Sequence, residues 1–534
     1  MSEGKGVKFL KALAERGLLL TLGLGLLVRI YLLFAREYVI VNDGLLYVTW
    51  IEKICELGFK GAFTNAYPFN LFPLFCALLY KAGHGLFTYE TAALTINFVC
   101  GLLSLIPPYL LARRIFGKMP ALVTGFYVAW HPIFTEVSCQ VLREAPAICL
   151  GLWALYFMIT ALESSDPEEW SYKKLALSAA LILLALMIRL EMLALLFAGF
   201  AAVSLSHWRK GADNKLGVRV KILASCALAL LLMGLCAFSA IRAVKGQWDF
   251  ARLDKIFSAQ GMGEEKYSVE DPLKPSAEIY DAQGKPIPMA RTKYAFAHLA
   301  WDHQRALFGY EILYKTWKTL HPVGLALLLL ALYYLIVKKP LKWSEPLNVC
   351  SVTLTLIFAA VFYRYVSTKF AVSNRHIVLP AFLFSVYMGL FTRYLRVERP
   401  LTKLLLAVSL AAAFLMLTYK AFRPLESHRL PLKRYGEQLA AKQILPENSF
   451  LIEADGLKQI AYYAGAKHKM WASQTSEDLL AQLGKKENTF LLVNTRDEWH
   501  TPAFLPIADK LEYLDSLEPA DKKFELKLYR LKKE

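Results

Sequence analysis

Apolar segments long enough to cross a membrane recur along most of the chain. A helix needs about 20 residues to cross the hydrocarbon core of a bilayer, and runs of about this length follow one another from Gly17 to Tyr419. They predict a polytopic α-helical membrane protein with about eleven transmembrane helices. The runs occupy residues 17–35, 89–111, 119–136, 145–162, 173–188, 190–206, 221–242, 321–337, 346–366, 376–391 and 402–419.

The residues that follow the last apolar run have the composition of a soluble domain. Strand-like runs bounded by turn residues alternate there with helix-like segments, which is typical of a small α/β domain. We therefore expect a transmembrane domain over residues 1–420 and a soluble α/β domain over residues 421–534. The strand-like runs are residues 449–453, 489–494 and 524–531, and the helix-like segments are residues 432–444 and 475–483.

The formal net charge of +18 raises the question of a nucleic-acid partner. The basic residues, however, form short clusters between apolar runs, such as Arg113-Arg114, Lys173-Lys174 and Lys338-Lys339. Connections on the cytoplasmic side of a membrane carry this excess of Lys and Arg, so we expect membrane lipids as partners and no nucleic acid. The pattern predicts a cytoplasmic amino terminus and an extracytoplasmic carboxy-terminal domain, in a multi-pass protein of a bacterial inner membrane.

Two segments near the amino terminus are apolar on one side only. Residues 43–58 and 70–86 combine apolar residues at helical spacing with charged or helix-weakening residues, so we expect both to lie in the outer interface rather than to cross the bilayer. Residues 173–206 could form one long helix, but the basic loop after residue 206 would then lie outside, so the charge rule favours a short hairpin that turns at Arg189-Leu190-Glu191. Residues 243–320 form an outer loop in this topology, long enough to act as a lid.

The predicted outer connections gather a small set of ionisable side chains. Charged groups at membrane depth are costly, and they are usually paired or functional. Most of them also have a structural explanation: a helix cap for Asp43, a favourable helix dipole for Glu144, support of the hairpin for Arg189 and Glu191, and snorkelling for Arg375 and His376. The candidates are Asp43, Arg143, Glu144, Arg189, Glu191, Arg375 and His376.

Several common catalytic motifs do not occur in the sequence. It has no Walker A loop, no dinucleotide fingerprint after a strand and no GxSxG elbow, and its histidines do not have the HExxH spacing of a zinc site. The soluble tail contains no cysteine, and five of the eight cysteines lie inside apolar runs, where a free thiol behaves as a small apolar group. A cytosolic nucleotide donor and a disulfide framework are therefore not expected.

Short motifs at these positions resemble the GT-C membrane glycosyltransferases. The similarity is to the branch that holds the protein O-mannosyltransferases and the lipid A aminoarabinose transferase, and it covers most of residues 1–420. The matching pieces, in chain order, are Asn42-Asp43-Gly44-Leu45-Leu46-Tyr47, Tyr67-Pro68, Leu110-Leu111-Ala112-Arg113-Arg114-Ile115-Phe116-Gly117, Val141-Leu142-Arg143-Glu144, Ile188-Arg189-Leu190-Glu191 and Asn374-Arg375-His376-Ile377-Val378-Leu379-Pro380.

The resemblance implies an enzyme that transfers a sugar from a polyprenyl-phosphate-linked donor to an extracytoplasmic glycan, lipid or protein. The family's catalytic carboxylate in the first outer loop falls on Asp43, and its acidic position in the second outer loop falls on Glu144. Such a donor has a good leaving group, so the reaction needs a base and phosphate-binding cations. We expect an inverting reaction with Asp43 as base, Glu144 as its partner, and phosphate ligands among Arg143, Arg189 and Arg375.

Other functions remain open from the residues alone. A transporter or flippase of a lipid-linked sugar would use a similar basic outer pocket, although the sequence shows no inverted repeat. A polysaccharide polymerase or ligase would use a polyprenyl-diphosphate donor instead. We expect no cofactor; a divalent cation joining the two acids is the less favoured alternative, because no third acidic ligand lies nearby in the sequence.

Overall fold

The structure is a computed structural model in which two compact units are distinguished. The described parts of the first are residues 15–34, 47–62, 70–162, 171–208, 301–337, 345–369, 378–390, 392 and 400–422; those of the second are residues 38–46, 429–446, 448–453, 457–470, 476–484, 488–495, 504–517 and 525–532. The predicted ligands Arg375 and His376, and the loop as far as residue 300, lie outside the described residues.

The first unit is helical. Its helices are α1 (Gly17–Phe34), most of α2 (Asn42–Ala62), α3 (Leu71–Ala82), α4 (Tyr89–Leu103), α5 (Ile106–Phe116), α6 (Lys118–Trp130), α7 (Pro132–Ser138), α8 (Glu144–Ala161), α9 (Tyr172–Ile188), α10 (Leu193–Trp208), α11 (Trp301–Val337), α12 (Pro346–Lys369), α13 (Val378–Met388) and α14 (Pro400–Ala421). Among the described residues, four stretches are long and apolar enough to cross a membrane, namely Gly17–Phe34, Tyr89–Phe116, Glu144–Ala161 and Leu313–Tyr333. The predicted polytopic helical architecture is confirmed, and the number of spans stays a prediction.

Two apolar runs that the sequence presents as continuous are interrupted, and one helix breaks at the first residue of a third run. The run 119–136 is divided between α6 and α7 at His131, because Pro132 has no backbone N–H and cannot continue a helix. Two prolines, Pro107 and Pro108, likewise separate α4 from α5. Helix α11 breaks at His321, which has a φ of 61° and precedes Pro322. The part of α11 before this break is helical, although the sequence predicts a loop there.

The short helices fit the expected hairpin and interfacial segments. Helix α9 ends at Ile188, and a 3-10 turn, Leu190–Met192, precedes α10, so the predicted break between the two apolar runs is confirmed. Helix α3 has only 12 residues, which gives about 18 Å and is too short to cross a hydrocarbon core of about 30 Å. Its first turn is capped by the side chain of Asn70, which accepts from the Phe72 N–H at 2.9 Å.

Buried polar side chains join the apolar helices. Ser178 of α9 donates to the Ala154 carbonyl of α8 at 2.8 Å, and Thr124 of α6 donates to the Ser385 carbonyl of α13 at 3.0 Å. Tyr387 of α13 donates to Asn348 Oδ1 of α12 at 2.7 Å. Apolar helices gain little free energy when contacts with lipid are replaced by contacts with another helix. Hydrogen bonds of this kind and close packing therefore fix the arrangement of the helices.

The second unit contains a five-stranded mixed sheet of order β2-β1-β3-β5-β4, so the predicted α/β character of the tail is confirmed. Strands β1 and β2, and β1 and β3, are parallel, whereas β5 runs antiparallel to β3 and β4. The tail elements are α15 (Leu430–Ala441), β1 (Phe450–Glu453), α16 (Lys458–Tyr463), β2 (Lys467–Met470), α17 (Ser476–Gly484), β3 (Thr489–Asn494), a 3-10 helix (Leu505–Lys510), β4 (Leu511–Leu517) and β5 (Leu526–Leu531).

The alternation of side chains in β1 and β3 builds a core on each face of this sheet. Leu451 and Leu492 pack with residues of α15 and α16 on one face. Ile452 and Leu491 pack with residues of α17 and the 3-10 helix on the other face. Successive residues of a strand point to opposite faces, so these nearly continuous apolar runs indicate a sheet that is covered on both sides.

Candidate active site

A buried cluster of charged side chains forms where α8 meets the turn between α9 and α10. Arg189 Nη1 lies 2.6 Å from Glu144 Oε1. On the other side, Arg189 Nη2 and Nε donate to the two carboxylate oxygens of Glu191, at 2.8 and 3.3 Å. Arg189 and Glu144 are each 4% exposed. Three of the predicted site residues are therefore brought into direct contact.

Local structure places each member of this charged cluster. Glu144 is the first residue of α8, where the helix dipole favours a negative charge. Arg189 ends α9 in an extended conformation, with a φ of −139° and a ψ of 124°, and Glu191 lies in the 3-10 turn that follows. The extended residue lets two side chains only two positions apart face each other, which is unusual on a regular helix.

The cluster is electrostatically balanced. Burial by itself raises the pKa of Glu191, but the charge and hydrogen bonds of Arg189, with a further contribution from Arg143, hold it well below its usual range. Burial likewise opposes the charge of Arg189, yet Glu191 and Glu144 raise the pKa of its guanidinium. The guanidinium of Arg189 therefore lies between the two carboxylates that it pairs with.

One aromatic residue of α2, Tyr47, lies near this cluster and packs against further aromatic rings. Tyr47 lies within electrostatic range of Arg189. The ring of Tyr47 contacts Phe72 edge to face, with 5.2 Å between ring centres, and it stacks near Trp50 at 6.3 Å. Helices α2 and α3 thus hold the Tyr47 ring next to the charged cluster.

Asn97 of α4 holds the backbone that leads to Glu144. Its Nδ2 donates to the carbonyls of Gln140 and Leu142, at 2.5 and 2.7 Å, and Asn97 is fully buried. These bonds fix the loop immediately before Arg143 and Glu144. Sequence reasoning missed Asn97, although an amide within a predicted membrane span was a usable signal.

A second missed residue is Arg29, the single charged residue of α1. It is fully buried; its Nε donates to Ser138 Oγ at 2.8 Å, and its Nη1 donates to the Gly25 carbonyl at 3.0 Å. These contacts connect α1 to the end of α7. Arg29 therefore supports the segment that continues to the loop held by Asn97.

The other candidates have different placements. Arg143 is half-buried next to Glu144 and close enough to Glu191 to affect the carboxylate's pKa. Asp43 is half-buried in the first turn of α2, and it belongs to the second compact unit. Within the described ranges, no group of three or more His, Cys, Asp or Glu residues could hold a metal ion. Arg189 pairs with both Glu144 and Glu191.

Comparison with solved structures identifies the fold. The chain is similar to ArnT from Cupriavidus metallidurans bound to undecaprenyl phosphate, with a TM-score of 0.58, 12% identity, and coverage of 96% of this chain and 97% of that chain. The apo state of the same protein gives a TM-score of 0.55 at 13% identity, covering 96% and 97%. The apo oligosaccharyltransferase of Archaeoglobus fulgidus gives 0.51 at 13% identity, covering 95% and 74%.

Comparison of the sequence identifies the class of enzyme. Residues 72–237 match the family described as dolichyl-phosphate-mannose-protein mannosyltransferase. A search of curated protein sequences finds no significant match.

The membrane-length helices, the shared fold and this family match define a membrane glycosyltransferase of the GT-C type. The resemblance predicted from the short motifs is thereby confirmed, and the protein is an enzyme rather than the transporter considered as its alternative. Within this class, the segment that matches the mannosyltransferase family carries Asn97, Arg143, Glu144, Arg189 and Glu191.

Proposed function

We propose that this protein transfers a sugar from a polyprenyl-phosphate-linked donor to an extracytoplasmic glycan, lipid or protein. The observation that carries the proposal is the family match over residues 72–237, whose description names a dolichyl-phosphate sugar donor. The similar ArnT structure holds undecaprenyl phosphate, a lipid of the same chemical class. Such a donor does not require the nucleotide-binding motifs that are missing from the sequence.

The proposed topology is the one indicated by the basic connections. About eleven helices cross a bacterial inner membrane, the amino terminus is cytoplasmic and the carboxy-terminal domain is extracytoplasmic. Residues 43–58 and 70–86 lie along the outer interface, where they meet the lipid donor. Residues 421–534 form the soluble domain.

The reaction proposed is a direct displacement at the anomeric carbon. Asp43 removes the proton from the acceptor hydroxyl, the acceptor oxygen forms a bond to that carbon, and the bond from the same carbon to the phosphate oxygen breaks. The polyprenyl phosphate leaves with the bonding electrons, so attack from the opposite side inverts the anomeric configuration. Cations near the leaving phosphate stabilise its increased charge.

The charged cluster refines the roles within this mechanism. Glu144 forms an ion pair with Arg189, so we assign it to orienting the acceptor rather than to proton removal. The charge of Arg189 is compensated by two carboxylates, and its main role is then to hold Glu144. Half-buried Arg143 is better placed than Arg189 to bind the phosphate, with Arg375 and His376 as further proposed ligands. No cofactor is invoked.

A donor assay with a variant of the proposed base tests this function. Purified protein is incubated with polyprenyl-phosphate and polyprenyl-diphosphate sugars, and the release of free lipid phosphate is measured. We expect release only from the monophosphate donors, and we expect Asp43→Asn to abolish it because the amide cannot accept the proton. Activity should survive EDTA.

The matched control is Asp509→Asn, which changes an exposed aspartate of the soluble tail and should leave turnover unchanged. Size-exclusion and thermal-unfolding profiles must match the wild type for both variants. Wild-type turnover by Asp43→Asn would remove Asp43 from the mechanism, and exclusive use of diphosphate donors would contradict the proposed donor class.

A further inference from the structure

Three side chains of the soluble tail hold the backbone of residues 38–40. The Ile40 N–H donates to Tyr463 Oη at 3.0 Å, and Gln459 Nε2 donates to the Ile40 carbonyl at 3.3 Å. Lys433 Nζ donates to the Tyr38 carbonyl at 3.0 Å. All three contacts lie within the second compact unit, although they join residues about 400 positions apart in sequence.

The three side chains come from a rigid support. Lys433 lies on α15, and Gln459 and Tyr463 lie on α16. The two helices share a buried apolar cluster, and Gly436 permits their close approach, since a Cβ there would come within 2.7 Å of the Ile460 carbonyl oxygen. The Lys433 ammonium also lies 5.4 Å from the centre of the Tyr463 ring, within the range of a cation–π contact.

The held segment leads directly to the proposed base. Ile40 is fully buried, and the Leu45 N–H donates to the Val41 carbonyl at 3.1 Å as α2 begins. Asp43 follows Ile40 by only three residues and lies in the first turn of that helix. Fixing both the N–H and the carbonyl of Ile40 therefore restricts the position and direction of the turn that carries Asp43.

We propose that Tyr463, Gln459 and Lys433 are positioning residues for Asp43, and that the soluble domain acts as a clamp on the first outer connection. This inference rests on the proposed function, because it takes Asp43 as the base. Apolar packing alone tolerates small shifts of a loop, whereas hydrogen bonds to two successive peptide groups do not. A base misplaced by about 1 Å can cost about a hundredfold in rate.

The test combines hydrogen exchange with kinetics on the full-length protein. In Tyr463→Phe the Ile40 amide loses its acceptor, so its exchange should accelerate several-fold, up to about tenfold. We expect kcat for lipid-phosphate release to fall at least fivefold with little change in KM. Tyr513→Phe removes a phenol from a largely exposed position in the same sheet and should change neither quantity.

Lys433 offers a second variant with a conservative counterpart. Lys433→Met removes the donor to Tyr38 and should lower kcat, whereas Lys433→Arg retains a donor and should recover most of the loss. Exchange in β3 reports on the fold of the tail and should match the wild type in every variant. A merely structural role would instead accelerate exchange in β3 and change KM or the yield of folded protein.

The outcomes separate this inference from the proposed function. Unchanged exchange at Ile40 in Tyr463→Phe, or accelerated exchange with wild-type kcat, would overturn the clamp while leaving the transferase assignment in place. An active Asp43→Asn would instead show that Asp43 is not the base. The clamp would then have no catalytic role, whatever the hydrogen exchange at Ile40. Accelerated exchange together with a lower kcat in both Tyr463→Phe and Lys433→Met supports the clamp.

Discussion

Arg189 is buried and contacts two side chains of opposite charge. A charge removed from water costs several kcal/mol unless it is paired with good geometry. Arg189 meets that condition through its contact with Glu144 and its bidentate contact with Glu191. The same contacts leave it poorly suited to bind a further anion. We therefore propose that Arg189, one of the three arginines predicted as candidates for the phosphate, instead holds Glu144.

The first prediction concerns the loss of this guanidinium. Arg189→Met removes the cation that pairs with buried Glu144 and partly exposed Glu191, so we expect the free energy of unfolding to fall by about 3–5 kcal/mol. The measurement is unfolding of the purified protein in detergent. Lys173→Met, which removes an exposed charge from the start of α9, should stay within about 0.5 kcal/mol of the wild type.

A double variant checks the electrostatic cause of that loss. Adding Glu191→Gln to Arg189→Met removes one of the two facing charges, so part of the lost stability should return, and the two substitutions should be strongly non-additive. Arg189→Lys retains the charge but not the planar fork, and it should fall between the wild type and Arg189→Met. Equal stability of Arg189→Met and Lys173→Met would show that the ion pairs contribute nothing.

Among the elements, α4 positions the loop that precedes α8. The Nδ2 of its buried Asn97 donates to two carbonyls of the loop before α8, so α4 fixes the backbone that leads to Glu144. We expect Asn97→Leu, which keeps a similar volume, to destabilise the protein by about 1–3 kcal/mol because two buried carbonyls lose their donor. Turnover should fall with it, since the loop can then shift Arg143 and Glu144.

A matched substitution on the same helix controls for the loss of a polar group. Thr95 Oγ1 donates to the Thr91 carbonyl within α4 at 2.7 Å, and that carbonyl can keep its backbone partner. Thr95→Val should therefore change stability by less than about 0.5 kcal/mol and leave turnover intact. If Asn97→Leu behaves like Thr95→Val in both measurements, the loop does not depend on the Asn97 bonds.

The elements also show which physical signals a sequence carries. Apolar runs and basic connections predicted α1, α8, α9, α12 and α14 closely, because length and hydropathy are local properties. The break between α6 and α7 was not predicted, although the sequence contains Pro132. Hydropathy is averaged over a window of residues, and a single proline inside an apolar run does not lower that average enough to divide the run. Strands β2 and β4 were missed because Lys467–Met470 and Leu511–Leu517 contain charged or polar residues and become strands through pairing with β1 and β5.

The same limit applies to the candidate site. Hydropathy and the outer connections selected Glu144, Arg189 and Glu191, because ionisable groups are rare next to membrane spans. Their partners could not be deduced, because contacts such as Arg189 with Glu144 depend on how α8 packs against α9. Asn97 and Tyr463 form hydrogen bonds with backbone groups that are far away in sequence. A local sequence pattern does not predict such a contact.

Over the whole molecule, the two units bury apolar surface in different ways. Helices of the first unit expose large side chains, such as Leu19 at 71% and Phe34 at 82%. Exposure of these side chains to water would cost about 25 cal/mol of transfer free energy for every Å² of apolar surface. Lipid is therefore the environment in which these surfaces are stable. The sheet of the second unit instead covers its apolar residues with its own helices. The chain therefore combines a lipid-covered unit with a water-facing one.

The proposed topology requires that the first and second outer connections face the same compartment. Cysteines engineered at Asp43 and Arg143, in a chain lacking the eight native cysteines, should both react with an impermeant maleimide in intact cells. Arg143 replaces Glu144 as the labelling position because Glu144 is buried. Lys173→Cys, in a predicted inner connection, should react only after the membrane is permeabilised. Labelling of positions 43 and 143 from opposite sides would place the proposed base and the Glu144 loop in different compartments, and a single reaction site containing both would then be impossible.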